Sequence, residues 1–493
     1  MGATSAVDNC PLTAARDRKW SLMIGRIIKW NCAIQLLGIL VLACQGAAAE
    51  VRRVTATVDG DPVPGSTGAD LSDISPDGTY VAFYAQAQLL GSNPGSFNAY
   101  LRNLSDGTLH LASVDENGVG IRGTRPTVSN NGLFAAFEEG INNRIYRYDR
   151  MAGTSTWINK ATDMGNPNDS CTRPIISADG RYIAFYSKAT NLLAEDTGGN
   201  GHVYLYDHND GSLTIVSRTH TGALVAAGVG FFGSADFDFS RDGKHIFFSS
   251  KGNDVTSDMI AAETIYMCYR HTLLSGVVDL VSLNHNDEVI IANFFGPRSS
   301  YDGTKVVFLC QLFDAKGVIP GFTSVGPDIY VRNLTNGDVW LGSSTPSEAP
   351  ADSGPVIYDI SGDGAKVAFS SAALNIDVNK TTTNIRDVFE GTFDGDARAT
   401  TVRVSKGPAG EEPTLFSDGP VYAKQANLLG FTADDYQPIL GIDAHGADEQ
   451  GIVIGDFPGA AMSAFATWVG GFGLAMGELG PDKDPDNDNA PTL

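Results

Sequence analysis

The sequence predicts an all-β protein, a β-propeller of four-stranded antiparallel blades, and three observations carry this prediction. Hydrophobic residues make up 42% of the 493-residue chain, and its 56 glycines are typical of a turn-rich β fold. A turn motif that begins with serine and ends with glycine recurs at intervals of 48 to 63 residues. A strand pattern containing phenylalanine follows each copy, and a four-stranded repeat of this length favours a propeller over a sandwich.

The repeat is best preserved in residues 173–217. Ala178-Asp179-Gly180 predicts a tight turn, because glycine tolerates positive φ and aspartate hydrogen-bonds its own backbone. Alternating residues from Tyr182 to Ser187 predict a strand, and two further strands are predicted at 203–206 and 213–216. A single blade cannot bury both of its faces, so the copies must pack around a ring.

The number of blades depends on the two ends of the repeat region. A seventh, degraded copy is predicted at 414–429, with Phe416-Ser417-Asp418-Gly419 as its turn. The isolated strand Val51 to Thr57 resembles the fourth strand of the repeat. Because open sheet edges template aggregation, we expect this strand to close a seventh blade with C-terminal strands from 412–456. The alternative is a ring of six blades. Six clear copies of the motif begin at Ser75, Ser129, Ser177, Ser240, Ser300 and Ser361.

Taken whole, SADGRYIAFYSKATNLLAEDTGGNGHVYLYD at 177–207 resembles the WD40-like repeat of TolB-type periplasmic propellers. The resemblance covers about residues 70–430 and implies the fold. Propellers of this type serve as binding platforms, as partner domains of peptidases and as parts of some lyases, so the resemblance leaves the chemistry open. The second blade departs from the pattern because it lacks the long aspartate-rich loop, and the loop of the fifth blade is more apolar.

The ends of the chain differ from its middle. Residues 1–49 resemble an export signal, with five basic side chains before an apolar run that ends in three alanines. Cleavage there would leave a propeller over 50–456 and a Gly/Ala-rich, then acidic tail over 457–493, predicted to be disordered. The protein is then expected to be a periplasmic or extracellular monomer without a transmembrane segment. The alternatives are a lipid anchor through Cys44 and retention of the apolar run as a membrane anchor.

The chain is acidic, with a formal net charge of −23 that becomes −26 without residues 1–49. Such a surface repels nucleic acid and anionic membranes, so a protein or a polysaccharide is the expected partner. Cys171, Cys268 and Cys310 lie beyond the predicted signal. Their odd number provides no complete disulfide framework. Cys268 and Cys310 lie inside strand patterns and are interpreted as small buried residues, and one disulfide between two of the three cysteines is the alternative.

Motifs for nucleophilic hydrolases, zinc proteases, P-loops and C-x-x-C redox sites are absent. His202 and His208 flank one strand and are expected on a solvated rim. Innermost strands line the axis of a propeller, so charges on them are candidate ligand contacts at the channel mouth. The competing interpretation is that these charges pair between blades or bind channel water. Counting back two or four residues from each motif serine gives the predicted binding residues Arg125, Arg173, Arg298, Asp73, Asp238 and Asp359.

Calcium is the one cofactor that the sequence suggests. Asp484, Asp486 and Asp488 alternate as in calcium-binding loops, although Asn489 stands where such a loop needs glycine. Asp196 and Asp377, each close to an asparagine in a loop, form a second candidate set. Turn hydrogen bonds and a solvated acidic tail explain the same residues without a metal.

These patterns together predict an exported scaffold that binds a protein or a polysaccharide, with no catalysis evident. The alternative is a carbohydrate-active or peptidase-associated enzyme with its site in the propeller channel. A convergent cluster of histidines or carboxylates in the channel would favour the enzyme, and a merely hydrated channel would favour the scaffold.

Overall fold

The computed structural model describes most of the predicted propeller. The predicted export signal, Asp196 and the acidic tail with Asp484, Asp486 and Asp488 lie outside the described residues. The described ranges are 52–54, 69–86, 89–90, 97–195, 197–230, 236–252, 254–257, 265–290, 292–312, 318–319, 327–345, 351–393, 400–407, 410, 412–413, 415–426, 428–434, 439 and 451–455.

Seven four-stranded antiparallel sheets make up the described chain, which confirms the seven-bladed propeller. The first strand, β1 (Arg52–Arg53), belongs to the last blade. Blades one to three contain β2 (Asp70–Ile74), β3 (Tyr80–Ala85), β4 (Asn98–Asn103), β5 (Leu109–Leu111), β6 (Thr124–Val128), β7 (Phe134–Glu139), β8 (Arg144–Asp149), β9 (Thr154–Trp157), β10 (Cys171–Ile176), β11 (Tyr182–Ser187), β12 (His202–Asp207) and β13 (Ser212–Ile215).

The remaining blades follow in chain order, and contacts between successive innermost strands close the ring from the seventh blade back to the first. The only described helix is the short 3₁₀ turn Asn130–Gly132. Blades four to seven contain β14 (Phe237–Phe239), β15 (His245–Ser250), β16 (Met267–Thr272), β17 (Val277–Leu280), β18 (Ala292–Ser299), β19 (Lys305–Leu312), β20 (Pro327–Asn333), β21 (Val339–Leu341), β22 (Tyr358–Ile360), β23 (Lys366–Ser371), β24 (Asp387–Thr392), β25 (Thr400–Arg403), β26 (Ser417–Tyr422), β27 (Leu429–Ala433) and β28 (Gly451–Gly455).

The core lies between the blades, because the second and third strands of each sheet are buried on both faces. In β11 only the first residue is partly exposed, whereas β13 at the outer edge alternates between exposed and buried positions. An aromatic residue of the second strand packs on one of the third in five blades, with ring centroids 5.3 to 5.7 Å apart, as in Phe185 and Tyr204. Such cross-strand pairs add to the stability that burial of their area provides.

The serine motif is a capped turn. In five blades the serine hydroxyl donates to the aspartate two residues later at 2.5 to 2.9 Å. The same hydroxyl accepts the N–H of the first residue of the second strand, as between Ser177 and Tyr182 at 3.0 Å. The glycine that ends the turn takes a positive φ, +74° at Gly180. The motif therefore has a structural role, as its turn chemistry predicts.

The ring is closed by the N-terminal strand, as predicted. β1 pairs antiparallel with β28 at the outer edge of the seventh blade, and the N–H of Val54 donates to the Ile452 carbonyl at 2.9 Å. Val54 is fully buried in a cluster that also contains Leu71 of the first blade and Ile454 of the seventh. One short strand thus covers a sheet edge and joins the two ends of the propeller.

The predicted turn of the seventh blade was wrong. Ser417, Asp418 and Gly419 lie inside the innermost strand β26, and the turn comes later, where the N–H of Ala423 donates to the Leu428 carbonyl at 3.0 Å. Gly419 has a φ of +63° because it lies at a bulge in this strand, not in a turn. A chance Ser-Asp-Gly sequence therefore resembled the motif.

The cysteines agree with their interpretation, since Cys171, Cys268 and Cys310 are free and buried. His202 does not agree with its predicted place on a solvated rim. Its side chain is buried at the start of β12, where Nδ1 lies 3.0 Å from the Ser217 hydroxyl, whereas His208 is exposed. No helix in the described ranges has both the length and the apolar character needed to cross a membrane.

Candidate functional site in the central channel

A cavity of about 910 Å³ occupies the central channel. Its wall contains the starts of innermost strands, such as Asp70 and Thr172, together with the ends of second strands, such as Tyr84 and Tyr186. Asp70 pairs with Tyr84 in the antiparallel register, so the cavity opens on the face that carries the loops between second and third strands. The serine turns lie on the opposite face.

All six predicted binding residues line this cavity. The structure therefore brings together side chains from six blades that are up to 286 residues apart, from Asp73 to Asp359. Their contacts divide them into two groups, the aspartates and the arginines. This division could not be read from the register alone.

The three aspartates link neighbouring blades. Each lies two residues before a motif serine and accepts a backbone N–H from the innermost strand of the next blade. Asp73 accepts from Val128 at 2.8 Å, and Asp359 accepts from Tyr422 at 2.8 Å. Asp238 accepts from both the N–H and the hydroxyl of Ser299 at 2.7 Å. The competing interpretation, that these charges pair between blades, describes the aspartates well.

Two basic side chains extend from the serine-turn face and contact two of these aspartates. The Arg241 guanidinium pairs with Asp73 and donates to the Ile176 carbonyl at 2.8 Å, so this side chain of the fourth blade crosses the channel to the first. Lys424 of the seventh blade lies 2.6 Å from Asp359. Burial raises the pKa of Asp73 even beside Arg241. These ion pairs neutralise the inner end of the channel.

Sequence reasoning missed Arg241 and Lys424, although a signal was present. Both occupy the position after the motif serine, or after Ala423 in its place in the seventh blade. The other five blades have an uncharged residue there: Pro76, Asn130, Ala178, Tyr301 and Gly362.

Arg125 and Arg173 lie four residues before the motif serine, where the innermost strands of their blades bulge. Their φ angles are +47° and +55°, a region that L-residues rarely adopt and that costs of the order of 1–3 kcal/mol per residue. Gly296 and Gly419 hold the equivalent positions in the fifth and seventh blades, at +67° and +63°. The fold itself therefore accepts glycine at this position.

Glu138 fixes both of these arginines. Its Oε1 pairs with Arg125 at 2.7 Å, and its Oε2 accepts the backbone N–H of Arg173 at 3.0 Å. The Glu138 side chain is buried, whereas Arg125 is 56% exposed and so remains accessible from the channel mouth. Sequence reasoning missed Glu138. Its signal is an acidic residue in a buried strand, FAAFEE, where the other blades have an uncharged residue.

Arg173 and Arg298 line the same cavity, and the charge of Arg298 acts on Arg173. Burial, together with the positive charge of Arg298, lowers the pKa of Arg173 to about 10. Burial also lowers the pKa of Arg298, but the negative charge of Asp238 and other nearby groups outweighs it and leaves that pKa above its ordinary value. Both guanidinium groups therefore stay protonated at neutral pH.

The rim of the cavity is partly apolar. Ile357 and Phe416 line it and are 43% and 38% exposed, and the Arg386 guanidinium lies 4.8 Å from the Phe416 ring centroid. Proline follows the bulge residue in four blades, at Pro126, Pro174, Pro297 and Pro420, and all four prolines are buried. A ligand at this rim meets apolar surface around a charged interior.

The calcium predictions are not tested by these contacts. Asp377, the one candidate among the described residues, pairs with the Arg403 Nε at 3.0 Å and accepts the Asn379 N–H at 2.9 Å. Buried Lys380 pairs with Asp387 in the same loop. Within the described part of the chain no group of three or more histidine, cysteine, aspartate or glutamate side chains is arranged to hold a metal.

No protein-family model and no curated protein matches the sequence. Solved structures that resemble the chain are propellers. One is described as TolB from Agrobacterium tumefaciens, with 15% identity and a TM-score of 0.34 over 59% of this chain and 87% of that chain. Another is the propeller domain of the Trilobed protease from Pyrococcus furiosus, with 13% identity and a TM-score of 0.47 over 81% and 97%.

A third is the acylaminoacyl peptidase of Pyrococcus horikoshii, with 14% identity and a TM-score of 0.44 over 78% of this chain and 50% of that chain. The neighbours therefore include both a TolB and propeller domains of peptidases, as the sequence resemblance implied. The fold assignment rests on the seven sheets themselves, and the choice between scaffold and enzyme has to come from the cavity.

Proposed function

We propose that the protein is an exported binding module that holds a segment of another protein at the mouth of its central channel. The observation that carries this proposal is the composition of the cavity, in which Arg173 and Arg298 lie inside a rim that carries the exposed apolar side chains of Ile357 and Phe416. Its volume of about 910 Å³ falls within the range of ligand pockets, roughly 300–1,000 Å³. Export is supported by the signal-like pattern of residues 1–49.

The mixed character of the rim favours a polypeptide over a polysaccharide. Ile357 and Phe416 offer apolar contact to side chains, and the arginines offer charged hydrogen bonds to polar groups of a peptide. The described residues that line the cavity include neither histidine nor cysteine. Of the six aspartates that line it, Asp73, Asp238 and Asp359 are engaged between blades, Asp70 accepts the Tyr84 hydroxyl and Asp418 pairs with Arg386. These side chains support binding and offer no catalytic constellation.

A peptide-display selection against the purified full chain tests this proposal, with a glycan array in parallel. Ile357→Trp narrows the mouth, whereas Val356→Trp alters an exposed neighbour that does not line the cavity. We expect selected peptides to bind the parent and Val356→Trp equally, and to bind Ile357→Trp at least about tenfold more weakly, because the tryptophan occupies their site. Glycan binding without peptide enrichment, or peptide binding that ignores Ile357→Trp, would contradict the proposal.

A further inference from the structure

We propose that Arg298 and Arg173, with Arg125 at the rim, form a receptor for a carboxylate group of the bound segment. This inference rests on the proposed function, because it names the chemistry by which the channel holds its ligand. A C-terminal carboxylate and an acidic side chain both carry this group, and the experiment below separates them.

Arg298 does not share the inter-blade role of the residues at its register position. Asp73, Thr127, Asp238 and Asp359 occupy this position in other blades, and each accepts a backbone N–H from the next blade. A guanidinium has no acceptor, so Arg298 cannot make that bond. The fifth and sixth blades are instead joined by Tyr358, whose hydroxyl donates to the Gly296 carbonyl at 2.8 Å and accepts the Leu309 N–H at 3.0 Å.

The guanidinium of Arg298 points into the cavity with donors to spare. It donates to the carbonyl of the adjacent Pro297 at 2.7 Å, and it forms no ion pair with any residue of the described ranges. Arginine has five N–H donors in a planar fork that matches a carboxylate in two-point contact. Arg298 is therefore the centre of the proposed receptor.

The carboxylates around Arg298 are held in place by donors other than its guanidinium. Asp238 accepts from Ser299, and both oxygens of Asp236 accept the Gly296 N–H at 2.9 and 3.0 Å. Glu138 accepts from the Arg125 guanidinium and from the Arg173 backbone. These bonds hold the acids in place, and the guanidinium of Arg298, which lines the cavity, can be approached from the open mouth.

The repulsion between Arg173 and Arg298 favours the binding of a carboxylate over that of an uncharged group. The positive charge of Arg298 destabilises the charged form of Arg173, and an anion beside both guanidinium groups relieves this repulsion. The remainder of the molecule is strongly acidic, with a net charge of −23, so a carboxylate is repelled from most of the surface. A recessed arginine cluster on such a surface selects where an anion can bind.

The backbone conformation of Arg125 and Arg173 also supports the proposed receptor. Both residues adopt a positive φ at the bulge position that Gly296 and Gly419 occupy in two other blades. A cost in backbone conformation at a position that glycine fills elsewhere indicates that the side chain itself is needed. Here the side chains belong to the predicted receptor.

The receptor is tested by titrating the purified full chain with citrate, a simple carboxylate probe, at low ionic strength by isothermal calorimetry. We expect citrate to bind the parent, and Arg298→Gln and Arg173→Gln each to weaken binding at least about tenfold, because each loses charge-assisted hydrogen bonds. The control is Arg181→Gln, which removes an arginine paired with Asp207 on the turn face away from the cavity mouth. Added salt should weaken binding to the parent.

Folding and ligand chemistry are checked in the same series. Thermal unfolding verifies that each variant is folded, and Arg298→Lys, which retains the charge and loses the fork, should bind citrate with an affinity between those of the parent and Arg298→Gln. Absence of citrate binding to the parent, or equal affinities for the parent, Arg298→Gln and Arg181→Gln, would overturn the receptor. Tenfold tighter binding of inorganic phosphate would overturn its assignment to carboxylates.

Selected peptides then distinguish the two proposals. Loss of affinity when a peptide acid is replaced by its amide identifies the C-terminus as the bound group, and loss on Asp→Asn or Glu→Gln changes identifies a side chain. If peptides bind the parent and Arg298→Gln equally, the receptor fails while the proposed function stands. If no peptide binds but citrate binding depends on Arg298, the proposed function fails while the anion receptor stands.

Discussion

At the scale of single residues, one register position of the propeller performs one task in several blades. The residue two places before the motif serine accepts a backbone N–H of the next blade, and aspartate does this in three blades and threonine in a fourth. Charge at this position was visible in the sequence. Its partner was not, since the bond joins residues about 50 to 60 positions apart.

Removal of one such acceptor should destabilise the propeller. Asp238→Ala leaves the N–H of buried Ser299 without its partner, and we expect a loss of about 1–3 kcal/mol in the free energy of unfolding measured with urea. Asp238→Asn retains an acceptor and should cost less. Asp210→Ala, at an exposed turn where only a local bond to Ser212 is lost, should stay within about 0.5 kcal/mol. Equal losses for the two alanine variants would contradict the inter-blade role.

The bulge residues allow a second test at this scale. Arg125→Gly and Arg125→Ala both remove the side chain, but alanine must retain the positive φ of +47°. The glycine variant should therefore be more stable by about 1 kcal/mol. At the neighbouring Thr124, whose φ is not positive, the order should reverse, with alanine the more stable. The free energy of unfolding of the four variants, measured with urea, tests this prediction. The same order of glycine and alanine stability at both positions would show that the backbone at Arg125 is not strained.

At the scale of strands and blades, the sequence predicted the elements better than their register. Six turn motifs and the strands after them are where the repeat places them. The seventh blade was predicted to exist, but its turn was placed at Phe416 to Gly419 instead of after Tyr422. Glycine serves both turns and bulges, so only the pairing with β27 distinguishes the two.

The closing strand gives a prediction about this blade. Deletion of residues 50–58 removes β1 and buried Val54, exposing the edge of β28 and the cluster that joins the first and seventh blades. Because the ring is continuous, we expect the thermal unfolding midpoint of the whole propeller to fall by several degrees in a single transition. Deletion of residues 1–49 alone should leave the midpoint unchanged. An unaltered midpoint after the longer deletion, or loss of signal from one edge only, would contradict closure by this strand.

At the scale of the whole molecule, the channel is the part that the sequence could predict only in outline. Register counting found six of the residues that line it, because every innermost strand faces the axis. It could not find Arg241, whose contact with Asp73 runs from the fourth blade to the first, since that distance depends on how the ring closes. It also could not separate the inter-blade aspartates from the arginines, because that division depends on which donors lie opposite each side chain.

The buried histidines make stability of the whole propeller depend on pH. Burial lowers the pKa of His202 to about 4, and it also lowers the pKa values of His271 and His245. The unfolded chain, with an ordinary histidine pKa near 6.5, therefore binds protons that the folded chain does not, and stability falls as pH drops from about 6.5 towards 4. At pH 5 the shift at His202 corresponds to roughly 2 kcal/mol.

His202→Asn tests this contribution, because Asn98 occupies the same position in the first blade, next to Ser113 as His202 is next to Ser217. We expect the variant to lose less stability than the parent between pH 7 and pH 5, by roughly 2 kcal/mol, in urea unfolding at each pH. The control His220→Gln changes an exposed histidine and should follow the parent. If the pH profiles of the parent and His202→Asn coincide, the buried imidazole does not limit the acid stability of the fold.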